Sequence, residues 1–235
     1  YMAAPEEIRV IGEYLYKKGY NVYGARLRGH GTAPEDLAKR EWIDWYHSVN
    51  RAYIIMENSV KEIAIAGFST GAGIAQLQAA NKDGKYRGAI SINAPLKLQN
   101  IASRVTSVVV LWNTFLKRIN LKKGAMEFVT NTPENPGINY FRNPVRGVRE
   151  LGKLMEVVEK RLADIEIPVL IIQGSNDPVV NPESGPQLFE KIGTADKEIY
   201  KIYAGRHGIV RGAESEKVAA RMAEFLDYAF TKKTK

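Results

Sequence analysis

The chain has 235 residues, 45% of them hydrophobic, which is enough for one sizeable core, so a single domain carrying an insertion is expected. It has no cysteine, which excludes disulfides, thiolate catalysis and Cys-ligated metals, and its longest apolar run, Val108-Val109-Val110-Leu111-Trp112, falls far short of the roughly 20 residues that span a membrane. The net charge of +8 invites a polyanion partner, but the basic residues are scattered, and the densest groups, Lys117-Arg118 with Lys122-Lys123 and the Lys232-Lys233-Lys235 tail, read as solvated faces; neither nucleic-acid binding nor stable membrane insertion is expected.

Tyr1 runs at once into Pro5-Glu6-Glu7, with no secretory leader, so a cytoplasmic protein or an already trimmed chain is expected. Ile8, Ile11 and Leu15 recur at helical spacing from Pro5 to Lys18, with proline and acids in the first turn and Gly19 past the end. Asn21 to Leu27 reads as a strand, followed by the loop Arg28-Gly29-His30-Gly31-Thr32-Ala33-Pro34-Glu35-Asp36. Trp42, Trp45, Tyr46, Val49, Tyr53 and Met56 then form the stripe of a long amphipathic helix.

Glu62 to Ala66 reads as a short buried strand and Ala72 to Ala80 as a helix, which places Gly67-Phe68-Ser69-Thr70-Gly71 at a strand-to-helix turn. That is the setting of the G-x-S-x-G nucleophile elbow, in which glycines permit a sharp turn and the serine hydroxyl stands above the sheet edge. The bland alternative is a Gly-rich turn whose serine merely caps the helix. Gly88 to Asn93 supplies the next strand, and the alternation of helix and strand predicts a parallel sheet covered on both faces.

From about Leu96 to Asp164 no strand is expected. Ile101, Val105, Val108, Trp112, Phe115 and Ile119 make one helical stripe, and Val148, Leu151, Met155, Val158, Leu162 and Ile165 another, around a turn-rich stretch from Thr130 to Gly137. An all-helical lid over 96–164, between core segments 1–95 and 165–235, is expected. The alternation resumes with a strand over Pro168 to Gly174 that ends in Ser175-Asn176-Asp177, a helix near Gly185 to Lys191, a strand over Glu198 to Tyr203 that runs into Gly205-Arg206-His207-Gly208, and a last helix bearing Val218, Met222, Phe225, Leu226 and Ala229.

Ser69, Asp177 and His207 thus follow three core strands at the carboxyl edge of a parallel sheet, where ligands bind. A serine hydroxyl needs a base to take its proton, a neutral imidazole suits that task, and a carboxylate on the far ring nitrogen fixes the tautomer. His47 sits in the aromatic helix, and His30 either lines the site or bonds its own loop. Asp164 and Asp196 precede their strands and belong at the opposite edge.

The order Ser, Asp, His with an insertion before the acid resembles the α/β-hydrolases. The stretch Arg28 to Leu37, followed by Trp42-Ile43-Asp44-Trp45-Tyr46, resembles their bacterial carboxylesterase and monoacylglycerol-lipase branch. The resemblance implies a serine esterase with Ser69 as nucleophile, Asp177 as acid, His207 as base and the Thr70 N–H in the oxyanion hole, acting on a small ester with no metal or organic cofactor. In such relatives a His-Gly pair closes an early strand and the next residue gives the second oxyanion N–H; Tyr1 occupies that position here, and the pair and its strand are absent. An upstream segment supplying a strand between Asn21–Leu27 and Glu62–Ala66 is therefore expected. Trp112, Phe115, Leu116, Tyr140, Phe141 and Val179 are candidates to face an acyl chain. The competing reading is a catalytically weak hydrolase-fold protein that binds a small apolar ligand under the lid.

Overall fold

The computed structural model describes residues 1–81, 84–96 and 126–232. A 3₁₀ turn, Pro5–Ile8, leads into α1 (Arg9–Lys17); α2 (Pro34–Leu37) and α3 (Trp42–Glu57) precede β1 (Ile65–Phe68). Then come α4 (Thr70–Ala79), β2 (Ala89–Ile92), β3 (Phe128–Thr130), β4 (Arg142–Pro144), α5 (Val145–Arg161), β5 (Val169–Gly174), α6 (Ser184–Lys191), β6 (Lys197–Ile202) and α7 (Ser215–Thr231).

The main sheet is parallel throughout, in the order β1-β2-β5-β6. β5 shows why. All six of its residues are buried, as befits a strand covered on both faces. Val169 and Ile171 point to a core shared with Trp45 of α3, Ile74 and Leu77 of α4, Leu154 of α5 and Leu188 of α6. Leu170 and Ile172 point the other way, to Ile11 and Leu15 of α1 and Val218, Met222 and Phe225 of α7. Fully burying a side chain of this size contributes about 1.5–3 kcal/mol, so the two-sided strand anchors the sheet and fixes the loops at its end.

Three expectations need correction. Among the described residues Asn21–Leu27 pairs with no strand: none of its backbone groups joins a ladder with them, and Val22 and Tyr23 are exposed. The physical reason is that no strand among the described residues pairs with it, since an extended segment pairs only where another edge lies within hydrogen-bond reach. It does not bond to β1, and a cavity of about 640 Å³ is lined by Tyr23, Ala25 and Leu27 together with Ile63 to Phe68. Second, the region 96–164 is not all helical, because β3 and β4 form an antiparallel hairpin in which Phe128 opposes Pro144. Third, the helix that closes this region packs into the core rather than over it: Leu151, Leu154 and Val158 of α5 are buried, and Leu154 and Val158 lie beside Gly73 of α4. The stripe from Ile101 to Ile119 lies outside the described residues, as do Trp112, Phe115 and Leu116.

Candidate active site

Ser69 stands between β1 and α4 with φ 54° and ψ −118°, a conformation that non-glycine residues adopt only under constraint. The turn is too tight for any side chain at Gly67, where a Cβ would lie 2.1 Å from the Gly71 carbonyl oxygen. Gly71 itself faces open space, so only the first glycine is sterically required. This sharp turn presents the Ser69 hydroxyl to the loop after β6. There His207 Nε2 lies 2.9 Å from Ser69 Oγ, and His207 Nδ1 lies 2.6 Å from Asp177 Oδ2.

Asp177 is fully buried, a costly position for a carboxylate unless hydrogen bonds replace its water. They do: Oδ1 accepts the backbone N–H of Val179 at 2.8 Å and of Val180 at 2.9 Å, which leaves Oδ2 for the imidazole. The His207 ring also packs on Phe68, with centroids 4.9 Å apart. A serine, an imidazole and a buried carboxylate in this sequence can pass a proton from hydroxyl to ring while the ring's charge is stabilised.

The Thr70 N–H belongs to the first turn of α4, where a helix has no internal acceptor and carries partial positive charge. Tyr1 lines the same cavity as Ser69 and Thr70. Its ring turns away and rests on His30 and Trp45, each with centroids 5.8 Å apart. Burial pushes its phenol well up.

The remaining expected residues divide. Val179 lines the cavity and is exposed. Phe141 is exposed, 59% accessible, and does not line it. Tyr140 is bound to the loop after residue 28: its hydroxyl donates to the Gly29 carbonyl at 2.8 Å and accepts the Thr32 N–H at 2.6 Å, so it braces the hairpin rather than facing the cavity. His47 is exposed on α3. His30 is buried beside Trp45, its Nδ1 3.3 Å from the Arg28 carbonyl, and burial lowers its pKa to about 3, so it stays neutral.

Two residues that carry no sequence signature complete the site. Asn93, fully buried at the end of β2 with φ 44°, accepts the Gly174 N–H at 2.8 Å and donates Nδ2–H to the His207 carbonyl at 2.8 Å. Glu134, from the hairpin turn, accepts the backbone N–H groups of His207 and Gly208. The one available signal was an asparagine directly after a buried strand, since asparagine is among the few residues that tolerate the left-handed region. Among the described residues the non-glycine positions with positive φ are Met2, Ser69 and Asn93; Met2 and Ser69 line the cavity and Asn93 holds its histidine.

Residues 7–214 match the family model described as serine aminopeptidase, S33 (Hydrolase_4). The chain is 27% identical over 228 residues to a thermostable monoacylglycerol lipase of Bacillus sp. (strain H-257), covering 96% of this chain and 86% of the relative. It is 25% identical to a carboxylesterase of Bacillus subtilis (strain 168), covering 94% and 87%. Among solved structures, one reported with the metagenome-derived lipolytic enzymes LipS and LipT superposes with a TM-score of 0.85 at 23% identity, covering 97% of this chain and 90% of that one. The monoacylglycerol lipase of Paleococcus ferrophilus gives 0.78 at 18% identity, covering 97% and 91%.

Proposed function

This chain belongs to the serine aminopeptidase S33 (Hydrolase_4) family and has the α/β-hydrolase fold, and from that premise we propose that it hydrolyses carboxylic esters of short to medium acyl chains or monoacylglycerols. The observation that carries the reading is the unbroken run from Ser69 Oγ through His207 to buried Asp177. Ser69 attacks the ester carbonyl as His207 takes its proton, and the tetrahedral oxyanion forms against the Thr70 N–H, with the Tyr1 main-chain nitrogen as second donor. His207 then returns the proton to the leaving alcohol, which breaks the C–O bond and leaves Ser69 acylated. Water, deprotonated by the same imidazole, releases the acid and regenerates the hydroxyl.

An aminopeptidase needs an anionic group for the substrate's ammonium. Among the described residues the two carboxylates that line the cavity are Glu7 and Glu134, and both are engaged: Glu7 by the amides of Asn135 and Asn139, Glu134 by two backbone N–H groups. The names of the Bacillus relatives agree with the ester reading.

The test is a panel of p-nitrophenyl acetate, butyrate, octanoate and palmitate, a monoacylglycerol and alanine p-nitroanilide. Turnover of esters with an optimum at short or medium chains, and none of the anilide, is expected. Preference for the anilide overturns the ester assignment, and a flat profile across chain lengths counts against an apolar acyl pocket.

A further inference from the structure

The turn between β3 and β4 reaches far across the chain to the loop that carries His207. Glu134 Oε1 accepts the His207 N–H at 2.9 Å and Oε2 accepts the Gly208 N–H at 2.9 Å, so one carboxylate serves two successive backbone donors. Bonds of this charge-assisted kind are roughly twice as strong as neutral ones. The Arg206 Nε stands 3.4 Å from the same carboxylate. The approach depends on a glycine, since a Cβ at Gly208 would lie 2.9 Å from Glu134 Oε2.

This contact completes a set of four on one residue. The His207 carbonyl takes the Asn93 amide, its ring nitrogens face Asp177 and Ser69, and its N–H is held by Glu134. Three of these partners sit at the ends of sheet strands or in loops directly after them, and the fourth comes from the hairpin. Nor is Glu134 on a free arm. Asn135, its neighbour, donates to buried Glu7 at 2.7 Å, Asn139 donates to the same carboxylate at 3.2 Å, and Asn131 donates to the Tyr140 carbonyl at 2.9 Å. The turn is thereby tied to the helix start at one end and, through Tyr140, to the loop at Gly29 at the other.

We propose that Glu134 is a positioning residue for the base: it fixes the main chain of His207 so that Nε2 stays within reach of Ser69, and it makes the placement of the hairpin a condition of triad geometry. It acts through the main chain of His207 and Gly208 and bonds none of the three triad side chains, and the proposal rests on the reading of His207 as the base. A group held one bond too loosely changes reactivity more than affinity, because misplacement by about 1 Å can cost about 10²-fold in rate. The effect therefore falls on kcat, whereas a residue that merely supported the fold would lower the amount of active enzyme and leave each surviving site at full speed.

The experiment compares Glu134→Ala, Glu134→Gln and Ser69→Ala in the whole chain, with kcat on p-nitrophenyl butyrate expressed per site titrated by a fluorophosphonate for the parent and the Glu134 variants, and per mole of folded protein for Ser69→Ala. Glu134→Ala is expected to lose about 10- to 100-fold in kcat per titrated site with KM changed by about twofold or less. Glu134→Gln keeps one acceptor oxygen and is expected to fall between Glu134→Ala and the parent. A Glu134→Ala kcat per site within about twofold of the parent overturns the proposal. Should Glu134→Ala not fold, Glu134→Gln decides alone: loss of several-fold supports the proposal and an unchanged kcat overturns it. An inactive Ser69→Ala beside an unaffected Glu134→Ala refutes positioning only, whereas a fully active Ser69→Ala refutes the triad reading on which it rests.

Discussion

Replacing Asp177 by Asn isolates what the buried carboxylate does, because the structure dictates how the amide must sit. Oδ1 of Asp177 accepts two backbone N–H groups, from Val179 and Val180, and both need an oxygen opposite them. The asparagine is therefore forced to place its oxygen there and its NH₂ against His207 Nδ1, where Oδ2 now accepts at 2.6 Å. The imidazole must then accept at Nδ1 and carry its proton on Nε2, which faces Ser69 Oγ at 2.9 Å and can no longer take the serine proton. The wrong tautomer costs about 10⁴ in kcat in a triad of this kind, or about 5.5 kcal/mol of barrier at about 1.36 kcal/mol per decade. With the backbone bonds kept, the fold should survive. The assay is steady-state hydrolysis of p-nitrophenyl butyrate beside a urea unfolding curve. A folded Asp177→Asn variant within about tenfold of parental kcat would refute the tautomer argument.

Gly67→Ala would press a methyl group against the Gly71 carbonyl, 2.1 Å away in unmovable backbone, and should cost at least about 3 kcal/mol in urea unfolding and abolish turnover. Asn93→Ala leaves the Gly174 N–H and the His207 carbonyl without their partner; a loss of about 2–5 kcal/mol is expected by the same method, with reduced kcat. Burial holds His30 near 3 instead of the ordinary 6.5, so the unfolded chain takes up the proton first and stability falls as pH drops from about 6.5 towards 3. The slope is on the order of 1 kcal/mol per pH unit, and it should be shallower in His30→Gln when unfolding is followed by circular dichroism across that range; equal slopes would refute it.

The parts of the molecule that were legible in the sequence are those whose signal is local. β5 announces itself as a run of apolar residues closed by Gly174, and Ser69 by a glycine that no side chain could replace. Asp177 and His207 follow because each stands just past a strand that reads unambiguously. What escaped depends on distant partners. Phe128–Thr130 and Arg142–Pro144 are three-residue strands, exposed or half-buried except for Pro144 and without alternation, so nothing in either half implies the other. Glu134 looked like a turn residue because its partners, His207 and Gly208, lie more than seventy positions away. Asn21–Leu27 erred the other way: its residues suit a strand, but a strand exists only when something pairs with it.

The central claim is that Ser69 is the activated nucleophile of an ester hydrolase, and the most direct measurement is labelling with a fluorophosphonate followed by peptide mass spectrometry. A single adduct on Ser69 is expected, with labelling and esterase turnover lost together and turnover in folded Ser69→Ala down by several orders of magnitude. An adduct on another residue, or parental turnover in Ser69→Ala, would contradict the account; so would absence of any adduct beside measurable affinity for a small apolar ligand, which would make this a binding protein instead.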